Sequence, residues 1–216
     1  MNGTTTVSKT VDGGSIPSAP AIAKIQRLVQ ASLFFIKELT YAYRMHYFGI
    51  FKDTQFPFRG FTHSRNIVRG LIQREDGRFI FTYIYHEDRF GLRDYLETPG
   101  GGVEPGEALE VALTREIQEE CGLTIHTIQP LGIVEDAYNL IQRHNINHYF
   151  YAKMSGMVEK KWTEGEQRLI KDMPWLTLEE AIARYEALPD KGIAFLIKQR
   201  ELQVLYYLRQ QLPKLV

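Results

Sequence analysis

Glu116, Glu119 and Glu120 stand at i, i+3 and i+4, so a helix through them projects three carboxylates from one side within reach of one another. Like charges at those spacings each cost about 0.2–0.5 kcal/mol. No lysine is interleaved to offset them, and the sequence places nothing beside them that would neutralise the group. The apolar stripe of Leu109, Ala112, Leu113, Ile117 and Cys121 runs beside and partly over the direction of Glu116 and Glu120. Those two carboxylates therefore belong at the edge of a buried face. Partly desolvated like charges raise one another's pKa or recruit a cation, and clustered hard oxygens suit Mg²⁺ or Mn²⁺.

The flanks fit a ligand site. Pro99 followed by Gly100, Gly101 and Gly102 gives a loop that can bring bare backbone close to a ligand or metal. Gly122 ends the helix where a left-handed residue is wanted, with Leu123 as its hydrophobic partner. Arg115 lies four residues before Glu119 and can hold a carboxylate through its fork of donors.

Gly101, Glu107, Arg115-Glu116-Ile117, Gln118, Glu119-Glu120, Cys121 and Gly122-Leu123, at these spacings, resemble the full signature of the Nudix hydrolases, with no departure at a fixed position. Compatible strand patterns extend the likeness over roughly residues 65–187. The resemblance implies an α/β/α sandwich with a mixed central sheet, here with additional N- and C-terminal helices. It implies Mg²⁺ (or Mn²⁺) held by Glu116, Glu119 and Glu120 beside Gly101, and hydrolysis of a diphosphate bond in a nucleoside diphosphate linked to another group, such as a nucleotide sugar or a nucleoside triphosphate. In many members a glutamate from a later loop completes the metal site or acts as base. Glu164 and Glu166 are the candidates for that role by position, with Glu120 a further candidate base. A catalytically silent module that senses an ADP-ribose-like nucleotide is the alternative; a broken signature or a fused DNA-binding segment would favour it, and neither is seen. An isomerase on the same fold would want an active-site cysteine away from the helix.

The elements that must position this stretch are read from composition and periodicity. A chain of 216 residues, 44% hydrophobic and 24% charged, has material for one substantial core with appendages. Its formal charge is zero, so no global field argues for nucleic acid or an acidic membrane surface, and phosphate recognition must be local. The single cysteine excludes an internal disulfide and agrees with a reducing cytoplasm; its place on the stripe makes it a buried thiol rather than a nucleophile.

In order, residues 1–20 are Thr-, Ser-, Gly- and Pro-rich and read as a disordered tail. Residues 21–58 form an extension whose apolar residues recur at helical spacing up to about Phe51. It packs on the catalytic domain or supplies a dimer contact, and it is too charged for a membrane span or a secretion signal.

Residues 59–190 hold the domain. Ile67–Ile72 and Phe79–Tyr85 are strands about an Asp76-Gly77 turn, residues 94–98 a third, and 125–135 and 147–154 two more. Arg65 and Arg69 share one strand face, so one of them could meet a phosphate. Glu97 is expected to brace the glycine loop by accepting backbone N–H bonds. Tyr138, His144 and His148 lie near strand ends, where a base or ribose could be held. Thr177 with Glu180 reads as a capping box. Residues 191–216 form an amphipathic helix ending at Pro213 that covers the domain or a partner subunit, so a homodimer is open.

Overall fold

The computed structural model describes residues 45–215; the expectations for the tail 1–20 and for helix over 21–44 fall outside them. The described residues fall within one compact unit. In chain order the elements are β1 His46–Lys52, β2 His63–Gln73, β3 Phe79–Ile80, β4 Thr82–Asp88, β5 Gly91–Glu97, β6 Gly100–Gly102, α1 Leu109–Glu116 prolonged by a π turn Ile117–Cys121, β7 Leu123–Tyr138, β8 Arg143–Met157, α2 Glu164–Leu169, β9 Ile170–Asp172, β10 Trp175–Leu176, α3 Leu178–Glu186 and α4 Gly192–Leu215.

The main sheet is mixed, in the order β1-β7-β8-β2-β3-β10, with β6 added alongside β2. Strands β1 and β7 are parallel, as are β2 and β8, while β7 and β8 are antiparallel. A second sheet, β5-β4-β9, is built on the β4–β5 hairpin. Alternation along the strands divides the core in two. Val68, Ile72, Phe150 and Ala152 meet Leu109, Leu113 and Ile117 of α1 on one face. Leu71, Tyr149, Tyr151 and Val134 meet α3 and α4 on the other. Helix, sheet and helix are thus stacked as an α/β/α sandwich, the arrangement that two apolar sheet faces require.

Several boundaries differ from the sequence reading. His46–Lys52 is a strand, not helix: Tyr47 and Phe51 are registered against Ile133 and Asp136 of β7, so its aromatic residues complete the sheet. Phe79–Tyr85 is broken at Phe81, whose N–H turns to the carbonyl of Pro174, so its halves serve different sheets. Strands β7 and β8 continue well past the expected limits because each pairs with the other along most of its length. Helix α4 passes Pro213 and ends at Leu215, and its apolar side covers the domain's own sheet. Among the described residues no helix is long and apolar enough to cross a membrane.

Candidate active site

Helix α1 forms where its stripe Leu109, Ala112 and Leu113 can bury against β2, and its last turn widens to i→i+5 bonding. The wide turn leaves carbonyls that the following chain satisfies. Lys161 donates its N–H to Glu119 O at 2.9 Å, Val158 to Gly122 O at 2.8 Å, and Trp162 Nε1 to Glu120 O at 2.5 Å. Gly122 closes the turn at φ 67°, the left-handed value expected of it.

Opposite this turn lies the glycine loop. Gly100, Gly101 and Gly102 pair with Arg69, Val68 and Ile67 of β2. A Cβ on Gly101 would stand 2.2 Å from Glu116 Oε2, so bare backbone here makes room for that carboxylate. The Glu120 side chain reaches under the same loop and accepts the Gly100 N–H at 2.7 Å.

Arg115 corrects one expectation. Its guanidinium lies 2.7 Å from Glu116 Oε1, 3.3 Å from Glu119 Oε2 and 2.8 Å from Glu107 Oε2, so Glu116 and Glu119 are partly neutralised after all. Those contacts raise the arginine's own proton affinity, the Glu107 bond most. Burial nevertheless holds Glu116 above the usual carboxylate range. Glu120 forms no ion pair among the described residues, and burial pushes its carboxyl up to about 8, only partly opposed by the Gly100 bond and the charge of Arg69. The negative charge of Glu166 acts on both acids in the same direction. Of the two loop candidates it is thus Glu166, held by Thr163 N–H at 2.6 Å in a capping box, whose field reaches the cluster. Glu164 is exposed at the start of α2.

Glu97 braces the loop differently from expectation. It receives Arg69 Nη1 at 3.3 Å and faces Arg200 Nη2 at 3.8 Å; its partners are guanidinium groups, not backbone N–H. Arg69 is buried, donating to Asn147 Oδ1 at 2.9 Å and to Thr98 O at 2.8 Å, so it supports the loop from beneath instead of meeting solvent. Arg65 stays exposed on the same sheet face, its Nε on Asn145 Oδ1 at 3.3 Å.

The sheet separates the remaining candidates. Tyr138 lies on the face of Arg65 and Asp136, its buried ring covered by Phe90 at 5.8 Å and Arg143 at 4.9 Å. His144 and His148 alternate to the opposite face. His144 is bound to Glu135 at 2.6 Å, and His148 lies 3.1 Å from Asn66 Oδ1 with its pKa pushed down by burial to about 4. Tyr138 and His148 therefore do not converge on one ligand.

The sequence reading missed a buried polar network beneath the loop. Arg200, fully buried on α4, meets Asp136 at 3.0 Å and Glu201 at 2.8 Å. Glu201 accepts Thr98 Oγ1 at 2.6 Å and Tyr149 OH at 3.0 Å. Adjacent charged residues inside an amphipathic helix look like its solvated side. Only their failure to fall on the polar face of α4 could have betrayed them.

The fold is thus a mixed α/β sandwich in which paired acidic side chains are set against a glycine loop. The NUDIX domain family model matches residues 63–196, and the chain belongs to that family. It is 41% identical over 75 residues to the nucleoside triphosphatase NudI of Escherichia fergusonii, a match covering 34% of this chain and 52% of that protein. It is 30% identical over 117 residues to a MutT-like protein of Streptomyces ambofaciens, covering 54% and 66%. The chain thus spans about half to two thirds of the length of these relatives. The crystal structure of an ADP compounds hydrolase superposes with TM-score 0.51 at 16% identity over 72% of this chain and 76% of that one, a likeness of fold.

Among the described residues no three His, Cys, Asp or Glu side chains form a ready-made metal cage. The donor set still fits Mg²⁺, which keeps several waters and is commonly bound by one or two carboxylates together with substrate phosphates. Glu116 and Glu120, both held above their usual pKa by burial beside a loop bared of side chains, have that character.

Proposed function

We propose that this chain is a pyrophosphohydrolase that cleaves the diphosphate bond of a nucleoside diphosphate linked to another group, with Mg²⁺ or Mn²⁺ as cofactor. The observation carrying the proposal is the pair Glu116 and Glu120, raised in pKa by burial and set against Gly100 and Gly101. Glu116, Glu119 and Glu120, with the backbone at Gly101, would hold the metal. When bound it neutralises phosphate oxygens and lowers the pKa of an attacking water.

The chain's own groups do the rest. Arg115 bridges Glu107, Glu116 and Glu119 and fixes the direction of two metal-binding carboxylates. The bond from Gly100 N–H keeps Glu120 under the loop. Glu166 is the general base in this reading: its charge bears on both acids, and the Trp162 bond to Glu120 O ties its loop to the acidic turn. It accepts the proton of a water aligned with phosphorus opposite the leaving oxygen. Arg65, exposed on β2, is the positive side chain available to substrate. The match to a nucleoside triphosphatase and the fold shared with an ADP compounds hydrolase support nucleotide substrates without selecting between them.

The test is turnover of a nucleotide-sugar and nucleoside-triphosphate panel with Mg²⁺, products identified by mass spectrometry. Glu119→Gln should fold with an unchanged circular-dichroism spectrum and lose at least about a hundredfold in kcat. Wild-type rates in that variant, or no turnover of any panel member by the parent chain, would sink the proposal.

A further inference from the structure

The sheet face bearing Asp136 also carries two arginines that form no ion pair among the described residues. Arg65 of β2 is in register with Asn145 of β8; Arg143 lies two residues earlier on that strand and directly opposite Tyr138 of β7. With parallel strands about 4.8 Å apart and two residues of rise between them, the two positions are roughly 8 Å apart, within reach of long side chains. The Arg143 guanidinium lies 4.9 Å from the centre of the Tyr138 ring, and its Nε is buried with no hydrogen-bond partner. Among the described residues Arg65 donates from Nε to Asn145 Oδ1 at 3.3 Å. Among the described residues neither arginine forms a salt bridge.

A third guanidinium lies nearby. Arg93 of β5 sits 5.4 Å from the Phe90 ring, which meets Tyr138 edge-on, and its Nε is buried without a hydrogen-bond partner among the described residues. Asp88 meets its charge at 2.8 Å. Although the Arg65 residue is open to solvent, its charged end is crowded beside β8, and desolvation there and then the charge of Arg143 lower its proton affinity. Buried N–H donors left unbonded cost free energy, and paired guanidinium groups match a phosphate through parallel hydrogen bonds.

The register gives the distance from the glycine loop. Arg65 precedes Val68, the partner of Gly101, by three residues, about 10 Å of strand. Arg65 lies on the face of Asp136 and Arg69, which α1 does not cover, so a group bound there is apart from the one the carboxylates of α1 would hold.

We propose that Arg65 and Arg143, walled by Tyr138, form a second anion subsite that takes a phosphomonoester on the nucleoside portion of the substrate. A phosphomonoester is chosen over a carboxylate because it brings nearly two charges and three acceptor oxygens to two guanidinium groups and an unused Nε–H. The identity of the substrate rests on the hydrolase reading above; the anion site itself does not.

ADP-ribose and ADP-ribose 2′-phosphate, offered to the full chain, test it. Calorimetry with metal chelated should show the 2′-phosphate compound binding at least about tenfold more tightly. The ratio should fall to near one in Arg65→Ala and in Arg143→Ala, and be partly restored by Arg65→Lys. With Mg²⁺ the same ratio should appear in KM and not in kcat. A binding ratio near one in the parent chain, no binding of either compound, or a ratio that survives both alanine variants overturns the subsite. Preferential binding without hydrolysis of either compound overturns the hydrolase reading and leaves the subsite standing.

Discussion

Glu120 Oε2 accepts the N–H of Gly100 at 2.7 Å, joining the wide last turn of α1 to the loop that faces it. The bond holds a buried carboxyl with no counter-ion in contact among the described residues, and the properties of the site follow from that position.

Stability should depend on pH through this group. Folded, Glu120 keeps its proton up to about 8, against 4.5 in its ordinary state. Between those values the native chain binds more protons than the unfolded one, so the contribution is full below 4.5 and is lost as pH rises toward 8. At about 1.4 kcal/mol per tenfold change the ceiling is ~5 kcal/mol. Urea midpoints of the metal-free chain should fall between pH 5 and 8. Glu120→Gln should flatten that fall, and added Mg²⁺ should reduce it at pH 8. Equal slopes in parent and variant would remove Glu120 as the cause.

Neighbouring glycines should fail in different ways. At Gly100, φ is +148° and a Cβ would stand 1.9 Å from the Val68 carbonyl, so Gly100→Ala must move backbone and should cost on the order of 3 kcal/mol or more. At Gly101 the obstacle is the end of a flexible side chain, Glu116. Gly101→Ala should melt within a few degrees of the parent chain yet lose most activity by displacing that carboxylate. Thermal denaturation beside kcat separates the two, and matching losses in both would refute the distinction.

Glu166→Gln should lower kcat at least about a hundredfold, the lower end of the range expected of a general base, whereas Glu164→Gln should leave it nearly unchanged. Glu166 is also the capping-box partner of Thr163, so a modest loss of about 1 kcal/mol accompanies the first substitution. Rates measured with saturating Mg²⁺ decide it; a larger effect at Glu164 reverses the assignment.

Removing one member of the Arg200–Glu201 pair should be severe. Arg200→Met leaves Glu201, Asp136 and Glu97 facing one another without their shared cation, a loss of about 3–5 kcal/mol in denaturant unfolding. Because Glu201 also binds Thr98 Oγ1, two residues before Gly100, Glu201→Gln should lower kcat even at temperatures where the variant is folded. Full activity in folded Glu201→Gln would confine the network to stability.

The acidic turn, the glycine loop and the family were legible because they are contiguous. Within one helix and its flanking loop, spacing along the chain is spacing in space, so Glu116, Glu119, Glu120, Arg115 and Gly101 could be grouped from their numbers alone. Helix α3 with its Thr177 cap and the Asp76-Gly77 turn were legible for the same local reason. Strand β1 was not, since its aromatic residues become a strand only by pairing with β7, more than 80 residues later.

By itself, then, the sequence determined which carboxylates are gathered and what kind of fold carries them. Tertiary structure alone decided which arginine lies beneath the loop and which stands free. Arg69 and Arg65 are alike in the sequence, four residues apart on one strand face. They are separated only by what crosses over them, Thr98 and Glu97 from the loop and Asn147 from β8 in one case, Asn145 and Arg143 in the other. Burial and charge at a point in space are sums over distant segments, and no local pattern encodes those sums.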